Sequence, residues 1–138
     1  MNSGSRVIFD TGVLVNAALR PGSTPAMALH RALLHDTVCA SIETLAELNA
    51  VLARDKLDNY LSREQRLEFA AQFATRVQIV VVGEVVHDCP DPKDNKFLAL
   101  ALGCGAVCLV ASDPHLTGMN PWRGIPILPP AAFLVALP

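Results

Sequence analysis

Residues 88–113, Asp88-Cys89-Pro90-Asp91-Pro92-Lys93-Asp94-Asn95-Lys96-Phe97-Leu98-Ala99-Leu100-Ala101-Leu102-Gly103-Cys104-Gly105-Ala106-Val107-Cys108-Leu109-Val110-Ala111-Ser112-Asp113, change character three times. An acidic, proline-broken loop runs into a helix over Asn95 to Leu102. Gly103 and Gly105 stop that helix, because glycine adopts the left-handed conformation in which helices commonly end. Ala106 to Ala111 then reads as a strand with apolar side chains on both faces, ending at Ser112-Asp113-Pro114. This is one helix-to-strand step of an α/β fold, and it delivers a carboxylate to the carboxyl end of a strand, where such folds place their sites.

The same pattern extends outward in both directions. Val7-Ile8-Phe9 is an apolar run ending at Asp10, and Thr11-Gly12 break it before Val13 to Leu19, which predicts strand, turn and short helix. Pro21, Gly22 and Ser23 mark a loop, and Thr24 before Pro25 caps a helix over Ala26 to Leu34. Thr37 to Ala40 is a second strand. Ser41 caps the next helix, with Ile42, Leu45, Leu48 and Leu52 on its apolar face and Glu43 and Glu47 beside it. The polar stretch Asp55 to Gln72 reads as a short helix and a longer one, anchored by Leu61, Leu67, Phe69 and Phe73. Gln78 to Val82 is β-branched and predicts a strand buried on both faces, closing at Gly83. Ile125 to Leu128 forms a last strand, and Pro129-Pro130 opens a helix carrying Phe133, Leu134 and Leu137. Strands alternating with helices predict one α/β domain over residues 1–138, a mostly parallel central sheet flanked by helices on both faces.

Composition sets the outer bounds. The chain has 138 residues, 51% hydrophobic and 17% charged, which is too apolar for disorder and enough for one core. Its 11 Lys plus Arg against 13 Asp plus Glu leave a net charge of −2, so bulk charge does not hold nucleic acid. Cys39, Cys89, Cys104 and Cys108 form no C-x-x-C pair, and with His30, His35, His87 and His115 they lack the paired spacing of a zinc site. No secretory leader opens the chain, which points to the cytoplasm. The uncharged stretch between Lys96 and Asp113 is shorter than the roughly 20 residues that span a bilayer.

Asp10 and Asp113 end strands, Asp94 opens a helix, and Glu47 projects from another helix toward the same crevice. Clustered carboxylates suppress one another's ionisation unless a cation offsets the repulsion, so the cluster predicts a metal. Oxygen donors alone match Mg2+ or Mn2+ rather than zinc or copper. Such an ion keeps positions for a phosphate oxygen and for water, the combination that hydrolyses phosphodiesters. Taken singly, Asp94 and Asp113 also read as helix caps and Glu47 as a solvated face; the conjunction of four carries the argument.

Three stretches, Val7-Ile8-Phe9-Asp10-Thr11, Ser41-Ile42-Glu43-Thr44-Leu45-Ala46-Glu47-Leu48 and Asp91-Pro92-Lys93-Asp94-Asn95-Lys96-Phe97-Leu98-Ala99-Leu100-Ala101, together with Ser112-Asp113 and Ile125-Pro126-Ile127-Leu128-Pro129, resemble the PIN-domain ribonucleases. More narrowly, they resemble the VapC-like toxins of toxin–antitoxin pairs. The resemblance implies a parallel sheet flanked by helices, with Asp10, Glu47, Asp94 and Asp113 holding one or two Mg2+ or Mn2+ ions and cleaving RNA. Asp91, Asn95, Ser112 and Thr11 are candidates for orienting carboxylates or water. Two positions depart from the family: Gly12 stands where Asn is usual, and His115 where a further acid is usual. His115 either contacts phosphate or caps the local turn. Arg20, Lys93, Lys96 and Arg123 are placed to meet flanking phosphates.

The resemblance also implies a small antitoxin that covers the crevice. The apolar segments Ala26 to Leu34 and Ala131 to Leu137 suit a homodimer or an antitoxin groove, and core helices equally. A haloacid-dehalogenase-like phosphatase would need an acid two residues after Asp10, where the chain has Gly12, and a receiver domain would need a lysine at a late strand end. A non-catalytic RNA-binding or interaction module on the same fold is the alternative.

Overall fold

Among the described residues five strands, β1 (Arg6–Phe9), β2 (Thr37–Ala40), β3 (Gln78–Ile79), β4 (Cys108–Val110) and β5 (Ile127–Leu128), pair in the order β3-β2-β1-β4-β5. The structure, a computed structural model, describes residues 4–136. All strand pairings are parallel: Val7 stands between Val38 on β2 and Cys108 on β4, and Val110 aligns with Leu128. The sheet is thus wholly parallel where the sequence predicts mostly parallel. From β1 the chain winds one way to β2 and β3, then crosses to β4 and β5. The order therefore reverses between β1 and β4, and a crevice opens there beyond their carboxyl ends.

Among the described residues seven α-helices cover the sheet: α1 (Thr11–Leu19), α2 (Thr24–His35), α3 (Ile42–Leu52), α4 (Arg63–Arg76), α5 (Asn95–Cys104), α6 (Pro114–Thr117) and α7 (Pro130–Ala136). The strands' two-residue period divides the core. Val7, Phe9, Val38, Ala40 and Val110 pack with residues of α1 to α4 and α7, and Phe9 meets Phe133 edge to face at 6.0 Å. Ile8, Cys39, Leu109 and Ile127 face the other way, onto Phe97, Leu98 and Ala101 of α5. All four cysteines are buried and unpaired.

Several expectations need correction. Thr11-Gly12 is not a turn, because the Asp10 side chain caps α1 by accepting from the Val13 amide, so the helix starts at Thr11 itself. Ser23, not Thr24, caps α2. Gly103 lies inside α5, and Gly105 alone, at φ 67°, ends it. Ile42 is 74% exposed, and the buried first-turn side chain is Thr44, whose hydroxyl completes a reciprocal cap with Ser41. The third strand is two residues long, exposed, and at the sheet edge, and Val81 is 92% exposed. Having no neighbour beyond it, β3 leaves its β-branched residues without the second packing layer that their composition suggests. Leu137 lies outside the described residues.

Candidate active site

Asp10 closes the crevice floor. It is buried at the end of β1, where one carboxylate oxygen accepts from Val13 N (2.8 Å) and the other from Ser112 N (3.0 Å) and Asp113 N (3.4 Å). The side chain thereby ties the end of β1 to the end of β4, burial pushing its pKa up while these amides pull it down. Gly12 sits against the same joint. A Cβ there would lie 2.6 Å from Ser112 Oγ, so the serine hydroxyl fills the space that a side chain at position 12 would take.

Asp94 is delivered differently. Asp91 caps a single 3-10 turn, Pro92–Asp94, by accepting from Lys93 N (3.2 Å), and that turn feeds directly into α5. Asp94 makes no cap bond of its own. It is only 5% exposed, and its Oδ2 has no hydrogen-bond partner among the described residues. Burial, followed by the neighbouring carboxylates of Asp113, Asp91 and Glu47, pushes its pKa up to about 7. Asp113 is held down instead, chiefly because its carboxylate accepts from His115 N (2.8 Å). Asp91, Asp94, Asp113 and His115 each offer a ligand atom, all within 4.8 Å of one another.

Glu47 reaches the crevice from α3, but both its oxygens have partners. Thr11 Oγ1 donates to one, and Lys96 Nζ pairs with the other at 2.7 Å while also donating to the Lys93 carbonyl. Asp10 and Glu47 line the same cleft of about 570 Å3 as Asp91, Asp94 and Asp113, with their carboxylates bound by the protein's own donors. Of the four acids singled out in the sequence, Asp94 and Asp113 form the close group, joined by Asp91 and His115. Thr11 acts on Glu47. Asn95 turns away from the acids, its Oδ1 accepting from Cys89 N at 2.8 Å. Of the cations expected to meet phosphates, Lys96 is engaged with Glu47 and Arg123 with Asp88 and the Trp122 ring. Lys93 lines the cleft, as does Arg54, which no local pattern marked.

A buried carboxylate oxygen without a donor is costly unless something positive meets it. With two further carboxylates and an imidazole beside it, the set fits a hard divalent cation. Lys96 opposes that cation electrostatically. Lys96→Met is expected to tighten Mn2+ binding by roughly three- to tenfold, a Coulomb effect at an effective dielectric between surface and interior; isothermal titration checks this, and unchanged or weaker binding contradicts it.

The PIN domain family matches residues 6–115, from β1 into α6, a span that holds Asp10, Glu47, Asp91, Asp94, Asp113 and His115. The chain belongs to the PIN domain family. Across 117 residues it is 26% identical to an uncharacterized protein of Methanocaldococcus jannaschii, covering 83% of this chain and 75% of that protein. Solved structures that share the fold include two from toxin systems. VapBC2 from Rickettsia felis, bound to a DNA fragment from their promoter, has a TM-score of 0.61 at 16% identity, over 88% of this chain and 96% of the other. VapC20 of Mycobacterium tuberculosis, a sarcin-ricin loop cleaving toxin, has 0.53 at 18% identity, over 78% and 90%. Among the described residues, no helix of this PIN domain is long and apolar enough to cross a membrane.

Proposed function

We propose that the protein is a Mg2+- or Mn2+-dependent endoribonuclease, the toxin of a toxin–antitoxin pair, acting in the cytoplasm as one domain over residues 1–138. The observation that carries this reading is the buried oxygen of Asp94, partnerless among the described residues, on a residue grouped with Asp91 and Asp113 at the crevice where the strand order reverses. Membership of the PIN family and a toxin that cleaves the sarcin-ricin loop among its structural neighbours support it.

Asp94, Asp113 and Asp91 would hold the ion, with Glu47 and Asp10 around them. When bound, the cation neutralises the scissile phosphate and makes the attacking water more acidic. The protein's part is positioning. Asp10, clamped by three amides, keeps the ends of β1 and β4 in register. Thr11 and Lys96 fix the Glu47 carboxylate on the cleft lining. Lys93 and Arg54 on the cleft lining meet flanking phosphates locally, which suits a chain of net charge −2. In-line attack by water on phosphorus would break the P–O3′ bond and leave 5′-phosphate and 3′-hydroxyl ends. A small antitoxin would cover the cleft with a basic side chain among the carboxylates, and a homodimer would use the apolar faces of α2 and α7.

Purified protein incubated with a mixed pool of structured and single-stranded RNA is expected to cleave it with Mg2+ or Mn2+. Cleavage should be lost in EDTA and in Asp10→Asn, which keeps the cap's size but removes its charge. Undiminished cleavage in either control overturns the proposal. RNA bound but uncut by the folded protein makes it a non-catalytic binding module.

A further inference from the structure

We infer that His115 is a nitrogen ligand of the cation site, and that it tilts this chain's choice of ion from magnesium toward manganese. The inference rests on reading the acidic cleft as a cation site and specifies which ion and which donors. Asp113 caps α6 by accepting from the His115 amide, and the same carboxylate oxygen lies 3.1 Å from His115 Nδ1. The residue is thus held to Asp113 through both backbone and ring, and its carbonyl accepts from Cys89 Sγ at 3.8 Å. These contacts bring one ring nitrogen within 4.8 Å of ligand oxygens on Asp91, Asp94 and Asp113.

The second observation is on Asp94, a member of that group: its Oδ2 is buried and has no partner among the described residues. A cation held by this group would answer the Asp94 carboxylate within reach of the His115 ring. The other acids of the cleft are less free to supply donors there. Glu47 is taken by Thr11 and Lys96, and both Asp10 oxygens are taken by amides. Asp91 and Asp113 each give one oxygen to a backbone amide, and Asp91 Oδ2 lies 3.8 Å from the exposed Lys93 ammonium, so with Asp94 the set within reach is three carboxylates and one imidazole. Magnesium demands oxygen donors and near-ideal octahedral geometry, whereas imidazole binds more readily to metals further along the transition series, so a ring nitrogen discriminates in favour of manganese.

Pulsed electron paramagnetic resonance on the RNA-free protein loaded with Mn2+ alone tests this without any activity readout. The wild type is expected to show nitrogen coupling from a directly bound imidazole, absent in His115→Ala and His115→Asp. By titration, His115→Ala should weaken Mn2+ by about tenfold and Mg2+ by less than about threefold, while His115→Asp should restore Mg2+ binding. The His115 side chain is largely exposed, and circular dichroism verifies that each variant is folded. Mn2+ that binds, is lost in Asp94→Asn, but carries no nitrogen coupling overturns this inference and leaves the cation site standing. Coupling that persists in His115→Ala also overturns it. No Mn2+ binding, or binding indifferent to Asp94→Asn, removes the cation site and this inference with it.

Discussion

Asp94→Asn is expected to lose RNA cleavage by at least about a hundredfold and yet, in EDTA at pH 8, to be more stable than the wild type. Asp94 has a folded-state pKa of about 7, above the 3.8 of an exposed aspartate, because burial and three neighbouring carboxylates oppose its ionisation. Between those values the folded state holds a proton that the unfolded chain has released. Stability therefore falls as pH rises from about 4 to about 7 and levels off above. Asn is neutral throughout and escapes that fall. The gain at pH 8 is about 1 to 3 kcal/mol, below the full equivalent of the pKa difference because water enters a site that lines an open cleft. Urea denaturation at pH 5 and pH 8 with EDTA measures it, and identical pH dependence in both proteins would refute the assignment. Adding Mn2+ should reverse the order, since an ion that binds only the folded wild type stabilises it by mass action. An acid that destabilises the metal-free fold and is stabilised by the ion is what a cation site requires of its residues.

Arg66→Ala is expected to cost about 3 to 5 kcal/mol, the range for breaking a buried charged network. Arg66 is 0% exposed. Its Nε donates to the Leu52 carbonyl (2.7 Å), one terminal nitrogen to the Leu61 carbonyl, and the other to the Arg54 carbonyl (3.3 Å) and Asp58 Oδ1 (2.8 Å). The guanidinium thus satisfies the carbonyl ending α3 and closes the loop between α3 and α4, which no ladder serves. Arg66→Lys should lose more than half as much, because an ammonium cannot fork to three carbonyls. Asp58→Ala should cost about 1 to 2 kcal/mol, less than Arg66→Ala, since it leaves the buried guanidinium without its counter-charge but the carbonyl bonds remain. Chemical denaturation checks the series, and equal costs for Asp58→Ala and Arg66→Ala would contradict it. Glu47 rides on α3, so Arg66→Ala should also impair cleavage before the protein unfolds.

The strand-end acids were legible because each is a local pattern: an apolar run, a break, an acid. Val7 to Asp10 and Ala106 to Asp113 carry it, as do the Ser41 cap and the helix that follows Asp94. Local pattern also misled where it was incomplete. The β-branched run Gln78 to Val82 could not disclose that its strand is an edge, nor could the spacing of Ile42 disclose that solvent faces it. Arg66 looks like any surface arginine of a polar helix until the turn after α3 folds over it.

The amino-acid sequence by itself determined the α/β class and which carboxylates stand at the ends of elements, because both follow from the periodicity of near neighbours. Tertiary structure alone decided how those carboxylates differ. Asp10 draws amides from 102 and 103 residues away, and Glu47 is answered by Lys96 across 49, while Asp94 is left unanswered beside Asp113 and His115. Those partners are set by strand order, and strand order is fixed by how the helices bury the sheet rather than by any local run of residues.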